Sequence, residues 1–204
     1  MSKKTLTVLI FICLFLCGLG TIKITKAYLS DGEANKNTIE IGFNEIEIIE
    51  ESNIPETMTV GENTYQRQIQ IKNTGNVSCY VRIFAEFSDL EAESLSEISS
   101  DGNTFYSAES YKDNLPENWV YIPIEEDSFL GGYFYYIKEL EPDELTNPLF
   151  KMIKTTFEAE DSVRDCDLII YSESIQSKIT DPGIELTDTD IWKQTWEYWG
   201  ANLI

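Results

Sequence analysis

This chain contains four cysteines and 36 acidic residues but no histidine. Without histidine there is no Ser-His-Asp or Cys-His arrangement, and the commonest zinc ligand and general base are missing. The metalloprotease motif H-E-x-x-H cannot be built, and no D-x-[DN]-x-[DN]-G calcium loop occurs. So many acids could always supply a pair for glycoside hydrolysis, but nothing singles one out. The sequence therefore predicts no catalytic residue, no metal site and no cofactor.

The first 27 residues have the charge pattern of a secretory signal peptide. Lys3 and Lys4 precede an almost unbroken apolar run over residues 6–19, and a short polar stretch ends at Ala27. The run is shorter than the about 20 apolar residues that a membrane-spanning helix needs. We therefore predict cleavage between Ala27 and Tyr28, secretion, and no stable membrane span after cleavage. A retained N-terminal anchor is the alternative.

Two cysteines, Cys79 and Cys166, would remain in the mature chain. In an oxidising exterior such a pair suggests one disulfide, and two separate buried thiols are the alternative. The bond would close a loop of roughly 88 residues, for which chain entropy predicts about 4–5 kcal/mol of stabilisation.

The mature chain would be strongly acidic. Removing residues 1–27 leaves 177 residues with 11 basic and 36 acidic side chains, a formal charge of −25. This charge argues against nucleic-acid partners, since phosphate binding needs a positive surface, and against anionic membranes. A cation-rich or polysaccharide surface stays open as a partner, and solubility outside the cell is the simplest explanation.

Alternating apolar residues predict short strands in the first half of the chain. Residues 39–43 and 46–48 alternate with a phase slip between them, which indicates two strands or one strand with a bulge. Residues 50–64 contain breakers and predict a loop. Residues 65–72 and 79–87 alternate around Asn73-Thr74-Gly75-Asn76, which predicts a hairpin.

The second half predicts more strands after an acidic insertion at about 89–118, which holds one short helix over residues 90–98. Strands are expected at 119–124, at 133–138, at 150–157 and from Cys166 to Ile175, with Pro123 marking the first of them as an edge. Eight or so short strands predict a mainly all-β fold, an antiparallel jelly-roll-like β-sandwich over residues 28–186.

Residues 187–204 predict a C-terminal amphipathic helix and tail. The capping candidates are Thr187, Asp188 and Thr189. Trp192, Trp196 and Trp199 follow at i, i+4 and i+7 on one stripe. The stripe either anchors the helix to the domain or binds a partner.

Several segments occur in a characteristic order along the chain. They are AYLSDGEANKNTIEIG directly after the leader, QIQIKNTGNVSCYVRIF, Trp119-Val120-Tyr121, GGYFYYIKELEPDELTNPLF and DLIIYSESIQ. Over about residues 1–180 this set resembles the TasA/camelysin family of exported Gram-positive proteins. The acidic insertion and the tryptophan-rich tail depart from the family pattern.

The resemblance implies a jelly-roll-like sandwich, processing by a SipW-type signal peptidase, and a fibre subunit of the biofilm matrix or cell surface. TasA-like subunits join by donating an N-terminal segment as a strand to the next subunit. Here that segment would be residues 28 to about 43, with Ile39, Ile41 and Phe43 as the inserted side chains; pairing within its own domain is the alternative.

The expected function is thus a secreted, non-enzymatic structural protein that associates with itself or with other matrix subunits. One alternative is a glycan- or cell-wall-binding module. Its candidate stacking residues are Tyr133, Tyr135, Trp192, Trp196 and Trp199. A camelysin-like protease is the least favoured, because the histidines of a zinc protease are missing.

Overall fold

The computed structural model describes residues 42–124, 130–164, 166–181, 183–184, 186–187 and 189–200. The strands are β1 (Ile46–Ser52), β2 (Gly61–Asn73), β3 (Cys79–Phe87), β4 (Ser96–Ser99), β5 (Tyr106–Ser107), β6 (Trp119–Pro123), β7 (Gly132–Leu140), β8 (Phe150–Phe157) and β9 (Leu168–Gln176). The helices are α1 (Leu90–Ser94), α2 (Ala108–Tyr111) and α3 (Ile191–Tyr198), with a 3₁₀ turn at Glu160–Ser162. Within these described ranges, none of the helices has the length and apolar content needed to cross a bilayer.

The strands form two antiparallel sheets that pack as a sandwich, so the predicted all-β fold is confirmed. One sheet has the order β1-β2-β8-β4-β5, and the other has the order β6-β7-β3-β9. The chain passes from one sheet to the other after every one or two strands. The core between them is made of apolar side chains that alternate along each strand, among them Ile69, Ile71, Val81, Ile83, Phe134, Phe150 and Ile153.

The hairpin predicted between residues 65–72 and 79–87 is wrong. β2 pairs with β1 and β8, whereas β3 pairs with β7 and β9 in the opposite sheet. After β2 the chain passes to the other sheet, and the buried Asn73 holds this turn. Its amide nitrogen donates to the carbonyl oxygens of Val77 (2.8 Å) and Leu140 (3.0 Å), and its Oδ1 accepts from the Gly75 backbone (2.9 Å). Alternation shows that a strand has a buried face, but it does not show which sheet the strand joins.

The hairpin lies one step earlier, between β1 and β2. Their register runs from Ile46 opposite Asn73 to Ser52 opposite Arg67. The region predicted as a loop over 50–64 is therefore shorter, since β1 continues to Ser52 and β2 begins at Gly61.

The segment 89–118 contributes to the sandwich and is not a peripheral insertion. Asp89 caps α1 by accepting a hydrogen bond from the Ala92 backbone (2.8 Å), but the helix ends at Ser94 instead of reaching Ile98. The chain then forms β4, which pairs with β8, and Ile98 is fully buried in the core. Pairing with β8 thus overrides the local helical signal beyond the first turn.

The strands predicted in the second half are confirmed. β8 has the predicted bounds, and β7 and β9 differ from their predicted bounds by one or two residues at each end. β6 is an edge strand that ends at Pro123, as its proline indicated.

Candidate functional site

β9 forms one edge of the second sheet. Its nine residues pair with β3 without a bulge, from Gln176 opposite Cys79 to Leu168 opposite Phe87. Among the described residues, no strand pairs with the other side of β9. An open edge exposes a row of backbone donors and acceptors that another strand can use.

β9 lacks the features that usually protect an edge strand. It contains no proline, and its single charged residue, Glu173, is paired with Arg82. By contrast, β6 carries Pro123, β5 has two residues, and β1 carries three glutamates. Proline, short length and charge each discourage edge-to-edge pairing. β9 is therefore the edge best suited to accept a further strand.

The side chains of β9 alternate between the core and the outer face of the sheet. Leu168 and Ile170 pack against the core, whereas Tyr171 is 64% exposed. β1 of the opposite sheet contacts β9, and Arg67 joins the two edges at one end. The Arg67 guanidinium donates to the Leu168 carbonyl oxygen at 3.2 Å and pairs with Glu50 at 2.7 Å. The two open edges thus lie on one side of the sandwich.

The first described residues are fastened to the turn after β2. The Phe43 backbone nitrogen donates to Asn76 Oδ1 at 2.7 Å, and the Asn76 backbone nitrogen donates to the Phe43 carbonyl at 3.1 Å. Thr74 and Gly75 both donate to the Glu45 carbonyl at 3.0 Å. We call residues 43–45 and 74–76 the N-terminal clasp.

The clasp lies at the same end of the domain as the end of β9. A cavity of about 500 Å³ is lined there by Gly42, Val77, Ser78, Glu141, Gln176 and Lys178. Ser78 Oγ donates to Glu141 at 2.7 Å, and the Ser177 backbone nitrogen donates to the Ser78 carbonyl at 3.0 Å. Gly42, the first described residue, therefore lies close to the C-terminal end of β9.

Only one of the predicted donor-strand residues falls within the described part of the chain. Phe43 lies outside β1 and is 48% exposed. Ile39, Ile41 and the predicted cleavage pair Ala27 and Tyr28 lie outside the described residues.

The C-terminal helix packs through two of its three tryptophans. Trp196 is 3% exposed and clusters with Tyr80 and Tyr135, while Trp192 is partly buried beside them. Trp199 remains 52% exposed. The structure thus brings Trp192, Trp196 and Tyr135 together as an anchor for α3 and leaves Trp199 outside it.

The predicted caps of this helix do not cap it. α3 begins after Asp190, which has φ 52° and makes no capping side-chain bond. Thr187 instead donates its backbone N–H to Gln194 Oε1 (3.0 Å), and its hydroxyl accepts from Gln194 Nε2 (2.8 Å). Asp188 lies outside the described residues.

Arg82, which the sequence did not single out, lies at the centre of this aromatic cluster. Its guanidinium carbon is 3.8 Å from the ring centroid of Tyr133, and its NH1 donates to the Tyr135 hydroxyl at 2.7 Å. Burial raises the pKa of Tyr135, although the hydrogen bond from Arg82 opposes that change. The recognisable signal was an arginine on the aromatic face of β3, between Tyr80 and Phe84.

The predicted disulfide is not formed, because Cys79 and Cys166 are free thiols at opposite ends of β3. Cys79 faces Gln176, whereas Cys166 precedes Leu168, the partner of Phe87. Eight residues of strand span about 26 Å, far beyond the Cα separation of about 7 Å that a disulfide allows. Burial raises the pKa of the Cys79 thiol to about 12 and also raises the pKa of Cys166.

Acidic side chains of the described residues stabilise loops through hydrogen bonds and form ion pairs with lysine and arginine. Asp101 Oδ1 accepts hydrogen bonds from the backbones of Asn103 and Thr104 (both 2.8 Å) and from Ser99 Oγ (2.9 Å), and these bonds hold its pKa well below the usual range. Within the part of the chain that the structure describes, no group of three or more Cys, Asp or Glu residues is placed to hold a metal ion.

Comparison of the chain with protein-family models, with curated proteins and with solved structures gave no match. The resemblance to the TasA/camelysin family therefore stays an expectation from the sequence segments.

Proposed function

We propose that the protein is a secreted, non-enzymatic structural subunit of an extracellular matrix or cell-surface fibre, assembled by strand addition at β9. The N-terminal segment of one copy, released by signal peptidase cleavage before Tyr28, pairs with β9 of the next copy. The observation that carries this proposal is the nine-residue edge strand β9, which pairs with β3 without a bulge and whose single charged residue, Glu173, is paired with Arg82. The TasA/camelysin resemblance supplies the expectation of donor-strand assembly.

The pairing fits the alternation of both segments. In an extended strand Ile39, Ile41 and Phe43 would share one face, and Leu168 and Ile170 share the core-facing side of β9. A donor laid along β9 buries Ile39 and Ile41 in the seam next to the side chains of β9, while Phe43 stays in the clasp of its own copy. Its backbone satisfies the open edge, with each hydrogen bond contributing about 0.5–1.5 kcal/mol.

The charge of the chain favours contact through an edge over contact through broad faces. At −25, two mature copies repel each other wherever large acidic surfaces meet. Backbone pairing at β9 uses a strand whose only carboxylate is already paired with Arg82. The donor segment 28–43 brings three acids and one lysine, so end-to-end strand addition places less like charge in the contact than broad acidic faces would.

Two variants of the mature protein test the proposal, with electron microscopy and analytical ultracentrifugation as readouts. Ile41→Asp removes the ability to donate, and Ser172→Lys places a charge on the core-facing side of β9 and removes the ability to accept. Each variant alone is expected to stay monomeric, while Ser172→Thr assembles like the wild-type protein.

Mixing the two variants gives the decisive result. The Ser172→Lys chain can still donate to the intact β9 edge of the Ile41→Asp chain, so the mixture should form dimers that cannot grow. A wild-type protein that stays monomeric under all conditions refutes the proposal. Pairing of the segment within its own domain predicts that neither variant changes the oligomeric state.

The absence of enzymatic activity is part of the proposal. It is supported by the lack of histidine in the sequence, which removes the usual zinc ligands and general bases. Chelator-sensitive casein cleavage by the purified protein would contradict it.

A further inference from the structure

The outer face of the second sheet is divided into a covered and an uncovered half. α3 packs over Tyr80 and Tyr135. The other half presents three aromatic rings on three neighbouring strands: the exposed Tyr171 on β9, the partly buried Phe84 on β3, and the partly buried Tyr133 on β7, over which the Arg82 guanidinium stacks. Their centroids are 6.4 Å apart for Tyr171 and Phe84, and 5.7 Å apart for Phe84 and Tyr133. We call these three residues the aromatic patch.

We propose that the aromatic patch binds a neutral polysaccharide by stacking sugar rings on Tyr171 and Phe84. The planes of these two rings are inclined by 36°; Tyr171 is 64% exposed and Phe84 is partly exposed beside it. The face of an aromatic ring is electron-rich, and the axial C–H groups of a pyranose carry partial positive charge. Stacking therefore supplies attraction without any charge on the ligand.

The charge of the chain selects among the ligands that stack on aromatic rings. Single-stranded nucleic acid stacks in the same way, but its phosphates are repelled by a chain of formal charge −21 before cleavage and −25 after it. Acidic polysaccharides are repelled for the same reason. A neutral sugar polymer meets no such penalty.

The size of the patch argues against a second copy of the chain as its occupant. Three partly exposed aromatic side chains offer about 300 Å² of surface. Each partner of a stable protein complex contributes about 800 Å². A sugar chain needs only a few rings, and it brings no acidic surface of its own.

The rim of the patch is polar and held in place. The Arg82 guanidinium stacks on the Tyr133 ring at 3.8 Å, and its Nε donates to Glu173 Oε2 at 2.7 Å. Glu86 lies two residues after Phe84 on the same face of β3. Carboxylates and a fixed guanidinium at the rim can exchange hydrogen bonds with sugar hydroxyls, and pre-organised side chains lose little entropy on binding.

This binding site goes beyond the proposed assembly and does not depend on it. The stacking rings lie on the outer face of the sheet, whereas strand addition uses the backbone edge and core-facing side of β9. The Ser172→Lys variant is therefore expected to bind polysaccharide as a monomer, and a Tyr171 variant is expected to assemble normally.

Native gel electrophoresis through hydroxyethyl cellulose, soluble β-glucan or glycol chitin tests the site. To keep assembly out of the measurement, every chain carries Ser172→Lys. At least one polymer should retard the protein, Tyr171→Ala should weaken retardation about tenfold, and Tyr171→Trp should retain it. Tyr198→Ala removes an exposed tyrosine of α3 and should have no effect.

Three outcomes overturn the proposal. The first is no retardation by any of the three polymers, and the second is equal retardation of the Tyr171→Ala and parent chains. The third is self-association of the parent chain that Tyr171→Ala abolishes, which would identify the patch as a contact between copies.

Discussion

The guanidinium carbon of Arg82 lies 4.5 Å from the ring centroid of Trp196, so a cation from the centre of β3 contacts the buried tryptophan of α3. The same arginine donates to Tyr135 and pairs with Glu173, which fixes its position over the sheet. A cation over an indole face contributes about 0.5–2 kcal/mol, and burial of the indole adds its hydrophobic contribution. The contact explains how a helix of eight residues is held on the sheet.

Replacing Trp196 by Ala should release α3 from the sheet. Loss of a buried tryptophan costs about 3–5 kcal/mol in a core, and here the loss falls on helix docking. Amide exchange of residues 191–198 should become fast while the core strands remain protected. Trp199→Ala is the control, since that side chain is 52% exposed. Uniform loss of protection throughout the sandwich would contradict local release.

Trp196→Phe should be far milder than Trp196→Ala. The indole N–H of Trp196 is buried and finds no acceptor among the described residues, so phenylalanine removes no hydrogen bond. We expect a change of about 1 kcal/mol or less in the free energy of unfolding by urea denaturation. A cost equal to that of alanine would show that the N–H has a partner.

The geometry of the clasp predicts that adding a single methyl group at Gly75 lowers the stability of the protein. A Cβ atom there would lie 2.6 Å from the Phe43 carbonyl oxygen and 2.8 Å from the Glu45 nitrogen, both backbone atoms. Gly75→Ala should therefore lower stability by about 1–3 kcal/mol in urea denaturation. Gly183→Ala is the matched control, because its nearest neighbour would be 3.4 Å away. Equal stability of the two variants would contradict the clasp geometry.

Local features were predictable from the sequence, and pairings were not. Pro123 marked an edge strand and the alternation over 150–157 gave β8, because both signals lie within the strand itself. The sheet that β3 joins depends on where Asn73 turns the chain, and the placement of Cys166 depends on the antiparallel register of β9 on β3. The role of Arg82 was not predictable, because an arginine on an outward face usually contacts solvent. Its aromatic partners come from β7 and α3, which are distant in sequence.

The buried thiol of Cys79 predicts a loss of stability at alkaline pH. Its pKa rises from 9.0 to about 12 on folding, so between these values the unfolded chain ionises and the folded chain does not. The free energy of unfolding should fall as pH rises from 9 towards 12, by about 2 kcal/mol at pH 10.5 from this group. Below pH 9 the contribution vanishes.

Urea denaturation of the wild-type protein and of Cys79→Ala at pH 8 and pH 10.5 isolates this effect. Tyrosines with raised pKa values titrate in both proteins, so their contributions to the free energy of unfolding cancel in the comparison. The difference in stability between the two proteins should shrink at pH 10.5. Thiol labelling should modify half-buried Cys166 in the folded protein and Cys79 only after unfolding. A thermal midpoint lowered by reductant would instead indicate a disulfide.

Assembly at β9 should depend on salt in the direction set by the net charge. Copies of formal charge −25 repel each other, and the screening length falls from about 10 Å at 0.1 M salt to about 3 Å at 1 M. Filament growth, followed by light scattering, should therefore accelerate as sodium chloride is raised over this range. Ser172→Lys should remain monomeric at every salt concentration, because screening removes repulsion without restoring the edge. Salt-induced growth of that variant at the wild-type rate would show that association occurs through another surface.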